Sequence, residues 1–145
     1  MTSPPIRALA LDLEGTLIAD ATSRVPRPGL ARFLRSVRQR FPRIVTFTSV
    51  SEERFRDVAN QLVAEAKAPP WLAHLEHLKP QGTKDLSLIP GVHWQEALLV
   101  DDCEAYVHPG QASQWIEIRQ FAYPYPADDL ELERILRDLR VRSPL

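Results

Sequence analysis

Apolar positions along this chain fall into two kinds of block. One kind is a short run of β-formers without helical spacing. Such runs open the stretch Leu9 to Ile18 (LALDLEGTLI), fill Arg43 to Thr48 (RIVTFT) and Ala97 to Val100, and recur at Trp115 to Ile118. Runs of this length that break off at polar, Gly or Pro residues predict strands buried on both faces. The other kind repeats every three or four positions. Leu30, Phe33, Leu34, Val37 and Phe41 form one stripe, stopped by Pro42. Phe55, Val58, Ala59, Leu62, Val63 and Ala66 form a second, and Leu132, Ile135, Leu136 and Leu139 a third. Each stripe predicts an amphipathic helix. Ser51 is placed to cap the second, and Asp128 with Glu131 has the spacing of a capping-box variant for the third. Leu86 to Ile89 predicts a short helix broken at Pro90, while residues 69–80 fit either a short strand plus loop or one helical turn.

Strands alternating with helices predict an α/β fold, a three-layer αβα Rossmann-like parallel sheet joined by right-handed crossovers. At 145 residues, 44% of them apolar, the chain suits one domain with one core. Ala19 to Gly29, between the first strand and the first helix, is too short for a separate cap domain. Apolar runs end after about eight residues, too short to span a bilayer, and the N-terminus lacks the order of a signal peptide. A cytoplasmic protein without membrane contact is expected, in keeping with a lone cysteine, Cys103. Net charge is −1, so no global attraction to polyanions arises. Locally the picture changes, because Arg24, Arg27, Arg32, Arg35, Arg38, Arg40 and Arg43 crowd one region. A solvated helix face is the plain reading, and a polyanion contact at Arg32, Arg35 and Arg38 the functional one.

The chemistry lies where strands end. Asp12 and Glu14 follow the first strand, and Asp101 and Asp102 follow the third. In a parallel sheet all these ends face one crevice, which is where ligands bind. Up to four carboxylates there raise one another's pKa unless a cation intervenes. Oxygen donors without a neighbouring His or Cys favour Mg²⁺ over zinc. Lys84 supplies a cation and Thr48 a hydroxyl donor, both suited to phosphoryl oxygens. Carboxylates, Mg²⁺, a lysine and a hydroxyl together describe a phosphoryl-transfer site.

Four stretches in this order, D-x-E-G-T-L at 12–17, FTS at 47–49, KDLS at 84–87 and LLVDD at 98–102, resemble the motifs of the haloacid dehalogenase superfamily of phosphatases. PRPGLARFL at 26–34 carries the likeness further, to the branch of C-terminal-domain or NLI-interacting-factor-like phosphatases. The small magnesium-dependent phosphatases are the near second. The resemblance spans about residues 6–120 and implies a Mg²⁺-dependent phosphomonoesterase. By it, Asp12 is the nucleophile that becomes aspartyl-phosphate, and Glu14 protonates the leaving group and activates water. Thr48, Ser49 and Lys84 hold the phosphoryl group, and Asp12, Glu14, Asp101 and Asp102 serve the metal. The implied substrate is a phosphoprotein, a nucleic-acid end or a small phosphate ester. Glu14 departs from the family's aspartate by one methylene, enough to displace a proton donor that must work within about 2.6–3.2 Å. The alternative is therefore a catalytically weakened module that binds a phosphorylated or acidic partner. A response-regulator receiver uses similar residues, but in an order that the late Asp101 and Asp102 do not match.

Other candidates weigh less. His74 and His77 have metal-ligand spacing on a helix but lack a third ligand. Cys103 reads as a small filler, and Trp71 and Trp94 as partial core or as walls of an open substrate site.

Overall fold

The structure, a computed structural model, describes residues 4–144. Five strands form its sheet: β1 (Ala8–Leu11), β2 (Arg43–Phe47), β3 (Glu76–Leu78), β4 (Ala97–Asp101) and β5 (Trp115–Glu117). Their spatial order is β3-β2-β1-β4-β5, and every neighbouring pair is parallel. Three helices accompany them, α1 (Leu30–Arg40), α2 (Glu52–Ala64) and α3 (Glu131–Arg142). The fold is an α/β parallel sheet of the haloacid dehalogenase, Rossmann-like type.

Register explains how the apolar runs are used. Leu9 is level with Ile44 and Leu98, and Ala10 with Val45 and Leu99. Side chains alternate across a strand, so Leu9, Leu11, Ile44, Leu98 and Val100 point to one face. There they share a core with the buried stripes of all three α-helices. Ala8, Ala10, Val45, Phe47, Ala97 and Leu99 point to the other face, where Leu86, Ile89 and Val92 cover them. Right-handed crossovers account for this split. From β1 to β2 to β3 the chain steps one way across the sheet, which places α1 and α2 on one face. It then returns past β1 to β4 and β5, and the intervening segments cover the other face.

That second layer differs in kind from the first. It is built from 3₁₀ turns such as Leu86–Leu88 and Trp94–Glu96, not from a full helix. Small residues on the covered sheet face, Ala8, Ala10 and Ala97, let these thin segments pack closely.

Residues 69–80 turn out to contain both elements left open, a 3₁₀ turn at Pro70–His74 and the three-residue β3. The second helix is capped by Ser51, whose side chain accepts from the Arg54 N–H at 3.2 Å, and it ends at Ala64, leaving Ala66 exposed with φ +59°. The expected Asp128–Glu131 capping box does not form. Asp129 accepts from the Glu131 N–H instead, at 3.1 Å, because the Glu131 carboxylate is turned to Arg134 and the Arg119 N–H. Among the described residues no helix is long and apolar enough to cross a membrane.

Candidate active site

β1 and β4 are neighbours, but the chain leaves β1 towards one edge of the sheet and leaves β4 towards the other. At such a reversal the following loops diverge and open a crevice at the carboxyl ends. Asp12 directly follows β1, Asp101 ends β4, and Asp102 comes next. One carboxylate oxygen from each lies within 4.8 Å of the others.

Lys84 reaches this cluster from the second layer. Its N–H donates to the Tyr106 carbonyl at 2.7 Å, and its Nζ lies 4.7 Å from the centre of the Tyr106 ring. The ammonium, almost wholly buried, donates to Asp12 Oδ1 at 2.8 Å and to Asp101 Oδ2 at 2.5 Å. Asp12 Oδ2 accepts from Thr16 Oγ1 at 2.7 Å, and Asp101 Oδ1 from the Cys103 N–H at 2.9 Å. Both oxygens of Asp12 are thereby oriented.

Burial pushes the Asp12 carboxyl up to about 7 against the pull of Lys84, and its hydrogen bond with Asp102 adds to the rise. Asp101 and Asp102 are also raised, each by burial first, and then by the charge of Asp12 and of Asp101 respectively. Burial alone would depress Lys84, but Asp12 and Asp101 outweigh it, and its pKa is raised. With all three carboxyls ionised, the cluster holds two negative charges more than Lys84 neutralises. Three hard oxygen donors with that excess fit a divalent cation of the Mg²⁺ type.

Glu14 is not part of this group. Its residue is exposed, and its carboxylate accepts from the Ala21 N–H at 2.7 Å, tying it to the loop that follows. Thr48 lies one residue beyond β2, buried, with its hydroxyl accepting from the Val50 N–H at 3.2 Å. Ser49 is exposed. Together with Glu14, Thr22 and Arg54 it lines an open cleft of about 340 Å³.

Two residues at the site had no assigned role in the sequence. Thr16 orients Asp12, a function compatible with its place four residues on in the D-x-E-G-T string. Arg27 was grouped with a basic, solvated region, yet its side chain is fully buried. It donates to the carbonyls of Gly15 and Thr16, and only its position just before Pro28 sets it apart from the other arginines of that run. The residues expected at a polyanion contact, Arg32, Arg35 and Arg38, are all exposed; Arg32 lies 3.5 Å from Glu133 and Arg38 sits over the Trp71 ring. His77 bonds the Val50 carbonyl at 2.8 Å and His74 is exposed, so the two do not form a metal pair. Trp71 and Trp94 pack against the two cores as partly buried residues, and Cys103 is half-buried.

The parallel sheet with an aspartate–lysine cluster at its reversal point belongs to the haloacid dehalogenase class. Within that class the assignment is specific: the model of the NLI interacting factor-like phosphatase family matches residues 7–143, and the chain belongs to that family, in the C-terminal-domain phosphatase branch. Comparison with curated proteins gave no match. Membership implies phosphatase activity.

Proposed function

We propose that the chain is a Mg²⁺-dependent phosphomonoesterase working through an aspartyl-phosphate on Asp12. The observation that carries this reading is the Asp12 carboxylate held between Lys84 and Thr16, beside Asp101 and Asp102. An Asp12 oxygen attacks phosphorus, and the ester P–O bond breaks as the new one forms. The departing alkoxide takes a proton from the Glu14 carboxyl, once that side chain has turned from the Ala21 N–H. Water then attacks the phosphorus, gives its proton to the Glu14 carboxylate and releases inorganic phosphate from Asp12. Asp12, Asp101 and Asp102 would hold the cation, together with the Glu14 segment by family resemblance. The cation supplies charge neutralisation for the transferring group. Lys84 offsets charge on the same group, and Thr48 and Ser49 offer donors from the end of β2. The chain acts as one cytoplasmic catalytic unit. Its crevice, without a cap domain, suits a phosphoprotein, a nucleic-acid end or a small phosphate ester, and Arg35 with Arg32 and Arg38 offers a contact for a polyanionic partner.

Glu14 favours a second reading. Its carboxylate must leave the Ala21 N–H before it can serve a leaving group, so a module that binds a phosphorylated partner with little turnover is the alternative. Hydrolysis of p-nitrophenyl phosphate separates the two. Wild type should turn over with Mg²⁺ and stop with chelator, and Asp12→Asn should lose on the order of a thousandfold or more in kcat. An inert wild type whose Glu14→Asp variant gains activity would support the binding module. No turnover in either protein, with no Mg²⁺ binding, would refute the site.

A further inference from the structure

Arg27 is a fully buried cation away from the carboxylate cluster, yet it touches the loop that shapes that cluster. Its Nη1 donates to the Gly15 carbonyl at 3.1 Å and to the Thr16 carbonyl at 3.3 Å. Nη2 donates to the Arg119 carbonyl at 2.6 Å, and Nε faces both oxygens of Asp129 at 3.1 and 3.2 Å. The Phe121 ring lies 5.5 Å from the guanidinium, and the Phe121 N–H donates to the same Gly15 carbonyl at 2.8 Å. The side chain of Asp129 is 5% exposed, so both charges are withdrawn from water. An ion pair desolvated to this degree is weak support for stability, since apolar side chains of similar volume often serve as well. What an apolar replacement cannot supply is the fork of donors to two successive carbonyls.

Those carbonyls belong to residues with distinct duties in the crevice. Thr16 presents the hydroxyl bonded to Asp12 Oδ2, and Gly15 is the residue against which the Asp102 carboxylate lies. We infer that Arg27, anchored by Asp129, is a positioning residue. Through the Gly15 and Thr16 carbonyls it sets the loop that orients Asp12 and Asp102, and so tunes both cation affinity and the rate of phosphoryl transfer. This rests on the phosphatase reading for the rate and on the carboxylate cluster alone for the affinity.

The test compares Arg27→Lys, Asp129→Ala and Asp129→Asn at a temperature where circular dichroism shows each folded. Mg²⁺ affinity is measured by calorimetry and kcat and KM with p-nitrophenyl phosphate. Arg27→Lys and Asp129→Ala should each weaken Mg²⁺ binding about tenfold and lower kcat about tenfold, with KM within about twofold, as expected for lost orientation. Asp129→Asn, which keeps an acceptor for the guanidinium, should restore both to within about threefold of wild type. Variants that melt lower but keep wild-type affinity and kcat would overturn the inference and reduce Arg27 to a core staple. Should Arg27→Lys not fold, the Asp129 pair decides alone. A wild type that binds Mg²⁺ without turnover would refute the phosphatase reading only, and the affinity series would still decide this one.

Discussion

A methyl group added at Gly15 would collide with Asp102 Oδ2, and the residue's φ of +81° is one that side chains rarely adopt. The clash is relieved only by moving Asp102, and the backbone strain only by shifting a loop whose Gly15 carbonyl is fixed by Arg27 and Phe121. Gly15→Ala should therefore destabilise the protein by about 1–3 kcal/mol and weaken Mg²⁺ binding, read by urea unfolding and by calorimetry. A loss of stability with Mg²⁺ affinity intact would mean that Asp102 takes no part in holding the ion. At this scale the sequence was legible where chemistry and backbone coincide. Asp12 lies about ninety residues from Asp101 and Asp102, and the rule that parallel strands end at one crevice brings these three together, whereas Lys84 directly follows no strand and is placed beside them only by the chemistry of the set and the family resemblance. Rotamers were not legible. Nothing in D-x-E-G-T says that Glu14 will turn to the Ala21 N–H while Thr16 turns inward. Arg27 was hidden for another reason: a buried arginine in a run of exposed and half-buried ones has no spacing to betray it, and Arg119 and Asp129, which anchor it, lie about a hundred residues away.

Elements were read well where a period could repeat. Each of α1, α2 and α3 buries four side chains of its expected stripe, since several turns give the pattern room to declare itself. β3 has three residues, all half-buried, and no period fits in so short a run. The cap of α3 departs from the capping-box spacing because capping competes with tertiary partners. Glu131 was expected to face its own helix start, but Arg134 beside it, with the Arg119 N–H, holds its carboxyl down at about 2. The cap of α2 has no such competitor. Ser51 bonds the Arg54 N–H, and Glu52 and Glu53 place negative charge in the first turn. Ser51→Ala should cost about 0.5–2 kcal/mol, measured by urea unfolding. A change within about 0.3 kcal/mol would show that tertiary packing of Phe55 and Val58, not the cap, sets where α2 begins.

For the whole molecule, the topology that gathers the carboxylates also concentrates unfavourable charge at one edge of the sheet. Asp12, Asp101 and Asp102 all have raised pKa values, so without a cation each adds stability that is fully present below the unfolded carboxyl value of about 3.9 and is lost as pH rises through the folded value. For Asp12 that window runs from about pH 4 to about 7. Lys84 is shifted upward too, and what it contributes is lost only well above that window. The metal-free protein should consequently melt at a lower temperature at pH 8 than at pH 5.5. A bound cation competes with protons for the same oxygens, which makes its stabilisation larger at the higher pH. With free Mg²⁺ at about 100 times its Kd the gain is ~2.7 kcal/mol, a rise in Tm on the order of 8 °C, and at pH 5.5 the same Mg²⁺ concentration should give much less. Asp12→Asn removes one competing charge, so in the absence of Mg²⁺ it should melt above wild type at pH 8 and respond weakly to the ion. Equal Mg²⁺ shifts at both pH values would mean that the carboxylates are already ionised at pH 5.5. Lys84 and Thr16 would then suffice to hold Asp12 charged, and protons would not compete with the ion over this pH range.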